Sequence, residues 1–231
     1  VKAKRTDIYV TNPSTNPAFK NVYEEIIGGV GIRKDGSSSE VVNIKDTDEF
    51  KYGVDKAREW FEKGYVRSDI ASKGNAITST DEENQYAFVQ TTWKPGQEPS
   101  DARDAGEEVV YSRIENPYVA RTNPIATMLA VGQNSKHPEE AVKLIYMLNS
   151  NKELYNLVVW GVEGTDYTKN SDGMVTKIEN SGYDEAYDNG WRFGNQFNSF
   201  VLDGQQPTVW EETKEMNDNA IKSPAMGFVP N

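Results

Sequence analysis

Apolar positions along the chain fall into short runs divided by polar, glycine- and proline-rich stretches, and most runs carry a period near two or near 3.6. Asp7-Ile8-Tyr9-Val10 alternates and empties into Thr11-Asn12-Pro13-Ser14, a short strand entering a loop. Phe19, Val22, Tyr23, Ile26 and Ile27 recur at helical spacing and stop at Gly28-Gly29, which predicts a first helix ending there. Val41-Val42-Asn43-Ile44 predicts a strand. Asp46 with Glu49 has the spacing of a capping box, and Phe50, Val54, Ala57, Trp60 and Phe61 then form an apolar helix face closed by Gly64. Trp60 is expected in the core.

Tyr86-Ala87-Phe88-Val89 predicts a buried strand that opens into Gln90-Thr91-Thr92-Trp93-Lys94-Pro95-Gly96, and open α/β sheets bind ligands beyond such strand ends. Val109-Val110-Tyr111 and Met128-Leu129-Ala130-Val131 predict two more strands, with the proline-interrupted stretch from Asn116 through Arg121 to Pro124 between them. His137 and Pro138 open the strongest helix, whose buried stripe is Ala141, Leu144, Ile145 and Leu148. Ser150 with Glu153 predicts a second capping box and a further helix to Trp160-Gly161. Asn170-Ser171-Asp172-Gly173 marks a hairpin, and Pro207 opens a last helix with Val209, Thr213, Met216 and Ala220 on one face. The class is α/β, divided near residue 115 into an α/β portion, 1–115, and a helix-rich remainder, 116–231.

With 231 residues the chain is long enough for one large α/β unit or two small domains. Its formal net charge of −11 would repel a nucleic-acid backbone. The densest basic stretch, Lys2, Lys4 and Arg5, sits at the terminus, where it reads as a frayed end. There is no cysteine, which removes disulfides, thiol nucleophiles and Cys-ligated zinc. No run approaches the roughly 18 apolar residues of a membrane span, and no signal peptide opens the chain.

The chemistry that would mark an enzyme is thin. His137 is the one histidine, and at a helix entrance it reads as a surface or capping residue, so His-based triads and HExxH zinc sites lack their central group. Gly28-Gly29-Val30-Gly31 is no phosphate loop, because it follows an expected helix, and no calcium loop or cofactor motif occurs. With 36 acidic residues some carboxylate pair will always be close, so proximity alone says little about glycoside hydrolysis. Glu163, in Val162-Glu163-Gly164-Thr165-Asp166-Tyr167, is the acid to test first, with hydrogen bonding its expected role.

Several aromatics fall outside the helical stripes: Trp93, Tyr118, Tyr167, Trp191 and Phe193. Flat aromatic faces take the C–H face of a sugar ring while neighbouring amides and charges bond its hydroxyls. Sugar binding follows as an expectation, against the alternative that these rings plug the core beneath loops.

Glu59-Trp60-Phe61-Glu62-Lys63-Gly64-Tyr65-Val66, the strand leading to Trp93, the run from Ala130-Val131 through Pro138-Glu139-Glu140-Ala141-Val142-Lys143, and Trp160-Gly161-Val162-Glu163-Gly164-Thr165-Asp166-Tyr167 resemble the family 1 extracellular solute-binding proteins of bacterial ABC transporters. The likeness covers about residues 45 to 230 and is nearest to the lipoprotein branch of Firmicutes. It implies a periplasmic-binding-protein-like type II fold in which two α/β lobes trap a small ligand, here a sugar or oligosaccharide, for ABC transporter permease subunits. It implies a monomer outside the cytoplasmic membrane, held only by a lipid anchor, with no catalysis, cofactor, metal or nucleic-acid partner. Such proteins run to about twice this length, so the resemblance implies an internal portion dominated by the second, C-terminal lobe with part of the hinge.

The family's sugar-stacking tryptophan corresponds to Trp93, and the segment matching Glu163 to Tyr167 faces its cleft. Trp191, Arg192 and Asn195 are carried over on position and composition, and Arg121 joins them as a polar candidate in the proline-interrupted stretch. Two other readings stay open: a glycosidase using two carboxylates, and a cell-surface carbohydrate-binding module.

Overall fold

A computed structural model describes residues 8–11, 21–69, 86–183 and 190–229. In chain order the elements are strands β1 (Tyr9–Thr11), β2 (Tyr23–Ile27), β3 (Val30–Arg33) and β4 (Val42–Asn43), helix α1 (Asp48–Glu62), β5 (Tyr86–Phe88), α2 (Glu98–Ala105), β6 (Tyr118–Val119), α3 (Pro138–Ser150), α4 (Lys152–Trp160), β7 (Tyr167–Lys169), β8 (Val175–Lys177), α5 (Val209–Asp218) and β9 (Ile221–Lys222). They gather into two units: Val1–Arg121 with Met216–Asn231, and Thr122–Glu215.

In the first unit β1 and β5 run parallel, with Tyr9 opposite Tyr86 and Thr11 opposite Phe88. The backbone N–H groups of Val10 and Thr11 also donate to the Tyr65 carbonyl at 2.9 and 3.2 Å, fixing β1 against the turn after α1. β6 and β9 pair in parallel, and β2, β3 and β4 form an antiparallel sheet. That sheet corrects the helix expected to end at Gly28-Gly29; its starting residue, Phe19, and the Asn12-Pro13-Ser14 loop lie outside the described residues. The two glycines have φ of +58° and +86°, which suits both central positions of a two-residue hairpin turn. The apolar spacing misled because the side chain that β2 buries most deeply is Glu24, while Ile27 points outward.

Helix α1 begins one residue later than the Asp46–Glu49 spacing predicts. The Thr47 side chain accepts from the Phe50 N–H at 3.3 Å, and Glu49 turns instead toward Arg33, 3.6 Å away. The helix ends as expected, with the Tyr65 N–H donating to the Trp60 carbonyl. Trp60 is half-buried and Phe61 exposed, a shallower placement than the core expected for Trp60. Val109-Val110-Tyr111 forms no strand, and Val110 is strongly exposed.

In the second unit α3 starts at Pro138 with an exposed His137 as its cap. Leu148 is buried and Ala141 and Ile145 are half-buried, but Leu144 faces outward. The corner into α4 is capped by Asn151, whose side chain accepts from the Leu154 N–H at 2.9 Å. Ser150, the expected cap, instead donates back to the Tyr146 carbonyl.

The core of this unit is Tyr155, Val159 and Trp160 from α4 packed on Tyr167, Val175 and Leu202, with Phe193 and Phe200 at its margin. β7 and β8 form the expected hairpin, its turn tied by the Asn170 side chain accepting from the Asp172 and Met174 N–H groups at 3.0 Å. Met128-Leu129-Ala130-Val131 is neither strand nor helix, against expectation. α5 begins two residues after Pro207, with Val209 buried and Thr213 and Met216 half-buried along one face, and it ends at Asp218, short of the expected Ala220.

Candidate functional site

In the first unit the loop that follows β5 carries Trp93. Its indole is 37% exposed, and its Nε1–H donates at 2.9 Å to Glu98, the first residue of α2. A carboxylate at a helix start thus pins one edge of the ring while the residue stays partly exposed to solvent. Glu98 was not singled out by sequence; the signal was an acid just beyond Pro95-Gly96, at a helix entrance.

Arg121 serves the scaffold. Its guanidinium donates to the carbonyl of Ile26 on β2, and its backbone N–H donates to Glu24 at 2.8 Å. Glu24 is the centre of this tie: its buried carboxylate also accepts from the Tyr118 hydroxyl at 2.6 Å and from the Ser223 hydroxyl. One side chain therefore joins β2, β6 and the segment after β9. Burial pulls the Glu24 carboxyl upward, but the hydrogen bonds from Ser223, Tyr118 and the Arg121 N–H outweigh it and hold the group below its ordinary value of 4.5. Burial, with the bond to Glu24, pushes Tyr118 up to about 12, so its hydroxyl remains a donor at neutral pH.

A carboxyl depressed by folding contributes stability that is present above its unfolded value and is lost as pH falls through the folded one. Glu24→Gln is accordingly expected to cost ~1–3 kcal/mol at pH 7, from imperfectly satisfied buried donors. Its stability should also decline less than the parent's below pH 4.5. Urea melts of both proteins from pH 7 down to the acid limit of folding check this; parallel pH profiles would remove Glu24 from that role.

In the second unit the loop after α4 is closed on itself. The Asp166 carboxylate accepts from the Val162 N–H at 2.8 Å, and the Gly164 N–H donates to the Tyr167 carbonyl at 2.7 Å. Glu163 projects from this loop and pairs with Lys169 at 2.7 Å. Tyr167 is 6% exposed, packed 6.4 Å from Trp160 edge-on and 5.7 Å from Phe200. Its ring packs in the core and presents no stacking face.

Lys169 is the residue of this loop region that sequence reasoning missed. Two positions after Tyr167 on β7, it lies on the same side of the strand, its ammonium 5.6 Å from the Tyr167 centroid and 4.5 Å from that of Phe200. The period-two rule could have found it.

Trp191 and Arg192 sit on a 3₁₀ turn, Gly190–Arg192, clamped to the helices. A Cβ at Gly190 would lie 2.7 Å from the Tyr155 hydroxyl of α4, and one at Gly194 would lie 2.5 Å from the Leu148 carbonyl of α3. Only glycine permits this approach. From the clamped turn Trp191 projects 45% exposed, with the Arg192 guanidinium 5.0 Å from its ring. Asn195 caps the next turn, its side-chain oxygen accepting from the Phe197 N–H at 3.2 Å.

The six residues beyond Arg121 thus divide. Trp93, Trp191, Arg192 and Glu163 present side chains to solvent, while Tyr167 and Asn195 shape the segments that carry them. Such exposed indoles beside a carboxylate or guanidinium can stack on a sugar ring and bond its hydroxyls. Among the described residues no group of acids or histidine could hold a metal ion, and no helix is long and apolar enough to cross a membrane.

No protein-family model matches the chain. It is 25% identical over 210 residues to a carbohydrate ABC transporter substrate-binding protein of Streptococcus pneumoniae serotype 4, covering 85% of this chain and 40% of that protein. Its fold superposes, over all of this chain and 52% of the other, on the crystal structure of the N-glycan transport solute-binding protein NgtS of Streptococcus pneumoniae, with a TM-score of 0.81 at 23% identity. The same protein has been solved with Man1GlcNAc and with Man5GlcNAc, at TM-scores of 0.79 and 0.75. The chain spans about half the length of these neighbours. Sequence and fold together therefore relate this chain to the carbohydrate substrate-binding proteins of ABC transporters, and it has part of the solute-binding-protein fold, as its resemblance to that family implied.

Proposed function

We propose that the chain contributes carbohydrate-binding surface to an extracytoplasmic receptor that captures an oligosaccharide and delivers it to ABC transporter permease subunits. The observation that carries this reading is the Trp191–Arg192 turn: an exposed indole and guanidinium on a segment held flush against two helices by glycines. A preorganised ring loses little freedom when a sugar stacks on it. Trp93, pinned by Glu98, offers a second platform of the same kind, and Glu163 with Lys169 offers paired hydrogen-bonding charges.

The complexes of NgtS with Man1GlcNAc and Man5GlcNAc point to mannose- and N-acetylglucosamine-containing glycans as the ligand class for this chain. Ligand is trapped by closure of the complete protein's lobes, outside the cytoplasmic membrane, where a lipid anchor retains a monomer. No turnover is involved: the relatives are binding proteins, and Glu163 is engaged with Lys169 instead of forming a pair with a second acid. A carbohydrate-binding module would share the aromatic platforms but predicts no closure on ligand.

Trp93→Ala is expected to weaken glycan binding by ~1–3 kcal/mol, about 5- to 150-fold, if its face stacks on a sugar. Calorimetric titration with Man5GlcNAc checks this alongside a thermal melt. Unchanged affinity with a lowered melting temperature would return Trp93 to a purely structural role.

A further inference from the structure

Helix α2 carries acids at its first and fourth residues, Glu98 and Asp101, one turn apart on one side. Each is bonded to the polar edge of an aromatic ring. Glu98 accepts from the Trp93 Nε1–H at 2.9 Å, and the Asp101 carboxylate accepts from the Tyr111 hydroxyl. One ring precedes the helix in sequence and the other follows it, so α2 is a bracket that gathers both to the same helix side.

The bracket is itself fixed. Pro95, between Trp93 and the helix, is buried, and the Gln97 carbonyl accepts from the N–H groups of Ser100 and Asp101, each at 3.1 Å, closing the first turn. Both aromatic residues keep contact with solvent: Trp93 is 37% exposed and Tyr111 is half-buried. A tryptophan or tyrosine tied through its single polar atom keeps its ring carbons for apolar contact. It is also ordered before a ligand arrives, which lowers the entropic cost of stacking. Anchors one helical turn apart stand about 5–6 Å from each other at their Cβ atoms, a spacing on the scale of one pyranose unit.

We propose that Tyr111 is a glycan-contacting residue that stacks on the sugar unit next to the one on Trp93, with Asp101 as its positioning residue. Helix α2 then presents a two-ring subsite for an oligosaccharide. The inference rests on the glycan-binding reading and adds to it a contact residue and a ligand of at least two linked sugar units.

Calorimetric titration with Man5GlcNAc and with free N-acetylglucosamine tests it on the protein and on its Tyr111→Ala and Tyr111→Phe variants. Tyr111→Ala should bind Man5GlcNAc ~5- to 30-fold more weakly, while its affinity for the monosaccharide, which needs only one ring, changes far less. Tyr111→Phe keeps the ring but loses the tether to Asp101, and its loss should fall between parent and Tyr111→Ala. In the unaltered protein bound to Man5GlcNAc, nuclear Overhauser contacts are expected between the Tyr111 ring protons and sugar C–H protons, a readout that does not depend on any variant folding. Binding by the parent without those contacts, or with Tyr111→Ala affinity unchanged, would overturn the assignment and leave the glycan reading standing. Equal losses for the oligosaccharide and the monosaccharide would overturn the two-unit arrangement. No binding of Man5GlcNAc by the parent would remove the glycan reading and this inference together.

Discussion

Trp160→Ala should destabilise the second unit by ~3–5 kcal/mol. The indole is buried between α4 and the loop that follows it, and it packs edge-on against Tyr167 at 6.4 Å. Its Nε1–H donates to the Ser199 hydroxyl at 3.0 Å, and Ser199 is itself buried. Truncation removes the ring, leaves a cavity against Tyr167, and strips a buried hydroxyl of its partner. Trp160→Phe keeps an aromatic edge and most of the volume but loses the N–H, and should cost ~1–2 kcal/mol. Denaturant melts of the two variants separate packing from hydrogen bonding. Equal losses would mean that the bond to Ser199, and not the ring, holds the loop.

Asn156→Leu is expected to cost ~2–4 kcal/mol although it scarcely changes volume. The Asn156 amide is buried and bonded on both sides: its nitrogen donates to the Lys152 and Asn198 carbonyls, each at 2.8 Å, and its oxygen accepts from the Phe200 N–H at 2.9 Å. Leucine would leave the Asn198 carbonyl and the Phe200 N–H without those partners. These two residues flank Ser199, so the segment that receives the Trp160 indole is the one that would loosen. A melt should show the loss, and exchange of the Phe200 amide should speed up. An unchanged melting temperature would mean that the 196–200 segment is anchored by its aromatic contacts alone.

Much of the second unit was legible from sequence because its signals are local. Pro138 after His137 and the Asn170–Gly173 turn each act within a few residues and lie where the pattern put them, and Val209 and Thr213 share a helix face as expected, although that helix ends at Asp218, short of Ala220. The helix expected before Gly28-Gly29 failed because β2 is held by non-local partners: Glu24 is buried by residues 94, 97 and 199 positions away. Apolar spacing cannot register a carboxylate buried for its hydrogen bonds. Met128–Val131 has the composition of a strand but forms none among the described residues, because alternating or apolar composition does not by itself supply a pairing neighbour.

The candidate site was legible as residue types and less so as roles. Exposed tryptophans in loops were visible as Trp93 and Trp191, but burial of the Tyr167 ring was not, since a tyrosine at a strand start fits either a loop or a core. The glycine clamp under Trp191 was hidden because Gly190 and Gly194 matter only through Tyr155 and Leu148, which arrive from other helices.

The most direct test of the central claim is a tryptophan-fluorescence titration with Man5GlcNAc of the protein and of its Trp191→Ala variant. Saturable quenching in the parent, with affinity weakened ~5- to 150-fold in the variant, is the predicted result. No response to Man5GlcNAc or to other mannose- and N-acetylglucosamine-containing oligosaccharides, from a parent that melts cooperatively, would contradict it.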